Sequence, residues 1–247
     1  MNTPICDFVK NYVTAKPVRL HMPGHKGVEL FGLEAFDITE FDGADNLYNA
    51  DGIIAESEKN AGFVFGADTF YSTEGSSLSI RAMLCLTVQY AKKLGKKPII
   101  LAGRNAHKTF LSAAALLDFE VEWLFPDKDD NYLSCNITAF SLQKYLSALK
   151  EKHVSDKDLA YNQDKTIVDK PSNDMPFALY VTSPDYLGNT VDVEALAKVC
   201  KENGMLLLVD NAHGAYLKFL TPSRHPMELG ADICCDSAHN QLHLEII

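Results

Sequence analysis

The stretch Met205-Leu206-Leu207-Leu208-Val209-Asp210-Asn211-Ala212-His213-Gly214 decides the reading of this chain. Its opening apolar run is too short for a helix of useful length. It is also too continuous for a strand with one wet face, so it reads as a strand buried on both sides. The run ends on an acid, and a carboxylate closing such a strand must be paired or hydrogen-bonded. Working outward, the same unit recurs. Short apolar strands are expected at 69–72, 98–102, 121–125, 178–182, 205–210 and 232–235. Helical spacing is expected over 53–65, 76–94, 106–117, 138–152 and 193–202, with Asn203-Gly204 as the stop of the last. Strands alternating with helices of this length predict an α/β fold, a mostly parallel sheet with helices on both faces.

Two regions fall outside the rhythm. Residues 1–50 read as irregular, with glycine turns at Met22-Pro23-Gly24-His25-Lys26-Gly27 and Asp42-Gly43-Ala44-Asp45. They are expected to lie against the main domain or another subunit, which gives a segment 1–50 and a domain 51–247. Residues 153–174, polar and rich in Lys and Asp, read as a solvated loop insertion.

The chain has 247 residues, enough for one large α/β domain. Its formal net charge of -10 argues against nucleic acid or an anionic membrane as main partner, since both select basic faces. No apolar run reaches the roughly 20 residues of a membrane helix, and the opening Met1-Asn2-Thr3-Pro4 lacks a signal-peptide pattern. A cytoplasmic location is therefore expected. The six cysteines are scattered, and the adjacent Cys234 and Cys235 do not suit ordinary metal spacing. They read as small core hydrophobes in a reducing compartment.

In open α/β sheets, ligands bind beyond the carboxyl ends of the strands. Four places qualify. Ser72-Thr73-Glu74-Gly75-Ser76-Ser77 joins a strand to a helix, and Gly75 there lets the backbone approach a phosphate. An ordinary helix cap is the competing reading. Arg104-Asn105-Ala106-His107-Lys108 puts an imidazole at a strand end, suited to stacking on a flat ring, to moving a proton or to opening a helix. Asp210 suits a pyridinium nitrogen, which a carboxylate keeps protonated. A structural cap, or metal ligation with His213, is the weaker alternative, and no metal is expected. Ser237-Ala238-His239 offers a hydroxyl and an imidazole to a phosphate.

These residues carry a resemblance. The string Arg19-Leu20-His21-Met22-Pro23-Gly24-His25-Lys26-Gly27 opens it. It continues through the Gly75 turn, Arg104-Asn105-Ala106-His107-Lys108, Tyr180-Val181-Thr182-Ser183-Pro184 and Asp210-Asn211-Ala212-His213-Gly214, and closes on Asp236-Ser237-Ala238-His239. The chain resembles the Orn/Lys/Arg decarboxylases, fold-type-I pyridoxal 5'-phosphate enzymes acting on basic amino acids, over about residues 1–239. The resemblance implies that His107 stacks on the cofactor ring. It implies that Asp210 holds the ring nitrogen, with Ala212 and His213 close by. Gly75, Ser76 and Ser77, with Ser237 and His239, would hold the phosphate. His25 and Lys26 would line a substrate site at a dimer interface. The implied reaction is decarboxylation of arginine, lysine or ornithine to a polyamine precursor.

Two positions depart from the pattern. Asn211 stands where the family usually carries Glu, and Asn240 where it carries the lysine that attaches the cofactor. An amide cannot condense with the cofactor aldehyde, so binding without a covalent link, and an inactive chain, are expected. The tail Gln241-Leu242-His243-Leu244-Glu245-Ile246-Ile247 also departs from the family's continuation, which would include a C-terminal domain. The expectation is a truncated or frameshifted product, incomplete at its C-terminus. A non-catalytic partner of an intact decarboxylase is the alternative from another class. Another fold-type-I enzyme, such as an aminotransferase, is the alternative within it.

Overall fold

The computed structural model describes residues 1–125, 134–161 and 175–238. The chain divides after Tyr71 into two compact units, Met1–Tyr71 and the chain from Ser72 onward.

The first unit is more regular than expected, because Pro4–Ala15 forms a helix, α1. Pro4 opens it, where its missing N–H costs nothing. The Asp7 carboxylate accepts the Thr3 N–H and hydroxyl, both at 3.0 Å. The helix closes at Lys16 in the left-handed region. A ring cluster gives it a face to bury: Phe8 and Tyr12 lie 6.1 and 5.0 Å from Phe41, and His21 stacks on Phe41 at 4.6 Å. Ile5, Phe8, Val9, Tyr12 and Val13 recur at helical spacing, a signal that the reading of 1–50 as irregular passed over. The second helix, α2, spans Ile53–Phe65 as expected and packs on α1. Its start is organised by Asp45, whose carboxylate accepts N–H groups of Asn46, Asp51, Gly52 and Ile54 at 2.7 to 3.1 Å. Residues 69–72 are not a strand. The Tyr71 N–H goes to the Glu58 side chain at 2.8 Å instead of to a ladder. A β-rich tetrapeptide without a neighbouring strand stays merely extended.

The unit from Ser72 holds a five-stranded, wholly parallel sheet. Its strands are β1 Ile99–Gly103, β2 Glu120–Leu124, β3 Ala178–Thr182, β4 Leu206–Asn211 and β5 Ile233–Asp236. The order β2-β1-β3-β4-β5 reverses direction between β1 and β3, a topological switch point. Every residue of β1 and β3 is buried, as a sheet covered on both faces requires.

Strand alternation sorts the core into two layers. On one face Ile100, Ala102, Tyr180, Leu208 and Cys235 pack on α3 (Gly75–Lys93) and α4 (Lys108–Leu117). On the other, Leu101, Leu179, Val181, Leu207 and Val209 pack on α5 (Ala139–Tyr161) and α6 (Val193–Glu202). Asp192 caps α6 through the Ala195 N–H at 3.0 Å, and Asn203-Gly204 ends it as expected. Helix α5 runs on past Lys152, through nine residues assigned to the loop insertion. No Gly or Pro interrupts that stretch, so nothing in its sequence stops the helix. The rest of the expected insertion, 162–174, lies outside the described residues.

Candidate functional site

Asp210 sits near the carboxyl end of β4, only 3% exposed, on the α3/α4 face. Its Oδ2 accepts the Tyr180 hydroxyl at 2.9 Å and its Oδ1 accepts the Ala212 N–H at 3.2 Å. Burial raises its pKa above the ordinary value. The Tyr180 and Ala212 hydrogen bonds oppose that, as do the charges of His107 and His213, without cancelling it. Burial, then the Asp210 charge, pushes the Tyr180 hydroxyl well above its ordinary value. Burial, then Asp210, likewise pushes the Cys235 thiol up to about 12. Asp210 is thus a buried acid short of positive charge, and a protonated ring nitrogen is a partner of the right sign.

His107 opens α4. Its Nδ1 accepts the Thr109 N–H at 3.3 Å and lies 2.9 Å from the Thr109 hydroxyl. That pattern assigns the proton of a neutral ring to Nε2. The Thr109 hydroxyl meets the Ser77 hydroxyl at 3.1 Å, so a polar chain from Ser77 to His107 ties the start of α3 to the start of α4. The helix-cap reading of His107 is therefore correct, and it also fixes the ring's orientation. Gly75 is the first residue of α3, with a φ of +69° and no heavy atom within 4 Å of where a Cβ would stand. Its left-handed backbone and open surroundings leave the helix start accessible, and the first N–H groups of a helix have no acceptor within it. Ser76 and Ser77 lie in that turn, and the Ser76 carbonyl accepts from the Cys235 thiol at 3.6 Å. Asp210, His107 and the Gly75–Ser77 turn thus share one sheet face, at the carboxyl ends of the strands.

The turn after β4 explains Gly214. A Cβ there would stand 2.0 Å from the Asn211 Oδ1 and 2.5 Å from the Pro184 Cδ. Ala212 is buried, and the His213 ring lies 5.3 Å from that of Tyr186. Asn211 turns to the opposite sheet face and donates to the Asp236 carboxylate. Ser237 is buried just past β5. His239 and Asn240 lie outside the described residues. His25 and Lys26 belong to the first unit, where His25 Nε2 lies 3.1 Å from Asp37 and the Lys26 ammonium donates to the His21 carbonyl at 2.6 Å. Thr109 was not anticipated from the sequence, and Tyr180 entered only within the strand string that carries the resemblance, with no role assigned. Tyr180 left a signal, since a hydroxyl inside a fully buried strand must find a partner. A polar cavity of about 450 Å³, lined among others by Asn105, Thr182, Asp185 and Asn189, opens near the β1/β3 switch point.

This sheet, with its helices and strand-end site, is the large-domain fold of the fold-type-I pyridoxal-phosphate enzymes. Mouse CSAD superposes with a TM-score of 0.55 at 19% identity, covering 76% of this chain and 38% of that one. DndA from Streptomyces lividans superposes with a TM-score of 0.52 at 18% identity, covering 97% and 52%. Within that class, residues 3–243 match the family model "Orn/Lys/Arg decarboxylase, major domain", and the chain belongs to this family. It is 28% identical over 250 residues to an arginine decarboxylase of Halalkalibacterium halodurans, covering 96% of this chain and 45% of the relative. It is 26% identical to the uncharacterized protein YaaO of Bacillus subtilis, covering 98% and 47%. The chain spans about half the length of the curated relatives it matches. No described helix is long and apolar enough to cross a membrane.

Proposed function

We propose that this chain is the cofactor-binding part of a pyridoxal-phosphate-dependent decarboxylase of basic amino acids. Arginine is the favoured substrate, because the named relatives include arginine decarboxylases. The observation that carries the reading is the buried, electropositively undersupplied Asp210 on the same face as His107 and the Gly75 turn. Those residues fit the cofactor. Asp210 would hold a proton at its ring nitrogen, and the Tyr180 and Ala212 bonds keep the carboxylate aimed. His107, immobilised through Nδ1, would cover the ring and keep water off it. The helix start at Gly75, with Ser76, Ser77 and Ser237, would hold the phosphate. When bound, the cofactor supplies a sink for the electron pair left as carbon dioxide departs. The excess of 33 acidic over 23 basic residues favours approach of a cationic substrate.

With Asn at position 240, binding is reversible and turnover absent in this reading. Titration of the purified chain with pyridoxal phosphate, followed by absorbance, tests it. Saturable binding is expected, weakened about 10- to 100-fold by Asp210→Ala, the loss of one charge-assisted hydrogen bond. No binding, or binding indifferent to that substitution, overturns the reading.

A further inference from the structure

We propose that His225, Cys234 and Asp236 form a binding site for a zinc-class divalent cation, on the sheet face opposite Asp210. The inference does not rest on the decarboxylase reading.

The geometry is the first argument. One nitrogen, one sulfur and one oxygen atom converge within 4.8 Å of one another. A tetrahedral ion with Zn–N and Zn–O near 2.0 Å and Zn–S near 2.3 Å sets N···O at about 3.3 Å and N···S and S···O at about 3.5 Å. Here His225 Nε2 lies 3.1 Å from Asp236 Oδ2, Cys234 Sγ lies 3.9 Å from His225 Nε2, and Cys234 Sγ lies 3.6 Å from Asp236 Oδ2. The triangle needs only sub-ångström adjustment to receive the ion.

The donor set is the second argument. Imidazole, thiolate and carboxylate together suit zinc and its neighbours, whereas magnesium and calcium prefer oxygen alone. Binding would release the Cys234 thiol proton to solvent. One thiolate and one carboxylate then balance a divalent charge, and the imidazole stays neutral.

The supports are the third argument. His225 is fully buried, and its carbonyl opens a turn by accepting the Glu228 and Leu229 N–H groups at 3.0 and 3.3 Å. The Asn211 amide fixes the other carboxylate oxygen of Asp236, the outer-shell contact that ligating carboxylates use. The Asp236 side chain keeps 25% of its surface, which leaves a fourth position to solvent. A plain buried histidine–carboxylate pair would explain His225 and Asp236, while the thiol on the same carboxylate oxygen supplies the third ligand a zinc-class ion needs.

Strand alternation explains why the sequence hid this cluster. Cys235 enters the α3/α4 layer, and only Cys234 joins Asn211 and Asp236 on the other face. The cysteine pair was never a two-thiol motif.

The test uses the full chain, chelator-treated and free of pyridoxal phosphate, titrated with Co²⁺. A near-ultraviolet thiolate-to-cobalt absorption is expected, saturating at one ion per chain and displaced by Zn²⁺. It should vanish in Cys234→Ser, persist in Cys85→Ser, and need about 10-fold more Co²⁺ in Asn211→Ala. Absence of the band at saturating Co²⁺, or its persistence in a folded Cys234→Ser chain, overturns the proposal. Should Cys234→Ser not fold, zinc-edge X-ray absorption of the unsubstituted chain decides. One sulfur in the zinc shell supports the site, and a shell without sulfur sinks it.

Discussion

Asp210 shows most clearly how a single buried residue can be unfavourable for the fold, a cost that in the proposed function suits it to a protonated ring nitrogen. Its burial raises its pKa, so the charged form costs stability in the ligand-free chain. A carboxyl whose folded value lies above the ordinary 3.8 contributes stability that is complete below that value and lost as pH rises through the folded one. Asp210→Asn should therefore raise the melting temperature of the ligand-free chain at pH 8. The gain should disappear as the pH falls toward 3.8, as calorimetry across that range will read. The same substitution should abolish tight cofactor binding, because a neutral amide cannot keep the ring nitrogen protonated. Tyr180→Phe removes the hydroxyl that Asp210 accepts and should cost about 1–3 kcal/mol in denaturant unfolding. At position 240, borohydride reduction with pyridoxal phosphate should leave no mass adduct, and an adduct mapped to that residue would refute a non-covalent mode of binding.

Elements were legible where periodicity was strong and obscure where tertiary partners supplied the reason. Helices α2 and α6 and strand β3 matched their expected bounds, because each carries its apolar pattern and its stop signal locally. Helix α1 was legible in the spacing of Ile5, Phe8, Val9, Tyr12 and Val13 but was missed, and the sequence could not show that Phe41 and His21 pack against it. The start of α2 likewise depends on Asp45 from an earlier turn. Partial desolvation raises the Asp45 pKa, but the N–H groups of Asn46, Asp51, Ile54 and Gly52 outweigh it and hold the carboxylate well below its usual range. Stability from a lowered carboxyl is present above the ordinary value and lost as pH falls through the folded one. Asp45→Asn should therefore flatten the acid limb of the first unit's unfolding. It should also speed hydrogen exchange at the Gly52 and Ile54 amides. In the turn after β4, Gly214→Ala forces a Cβ onto Asn211 and Pro184 and should cost about 1–3 kcal/mol.

For the whole molecule, exposed apolar side chains concentrate in the first unit: Leu20 at 88%, Leu30 at 77% and Phe31 at 92%. Exposed apolar side chains of this kind favour self-association. Sedimentation at several concentrations should show it, reduced by Phe31→Ser, and a strictly monomeric chain at all concentrations would exclude it.

The sequence by itself determined the parallel α/β architecture, the two-sided burial of the sheet, and the placing of Asp210 and His107 at strand ends and of Gly75 at a helix start. Those properties are written in local order: continuous apolar strands, helical spacing, and polar residues placed just past strand ends. Only the tertiary structure decided which side chains meet. The Tyr180 hydroxyl on Asp210, the chain from Ser77 to His107, and the convergence of His225, Cys234 and Asp236 each join residues from different elements. Strand alternation and the order β2-β1-β3-β4-β5 choose those neighbours, and neither strand order nor helix placement is encoded by any one segment's own pattern.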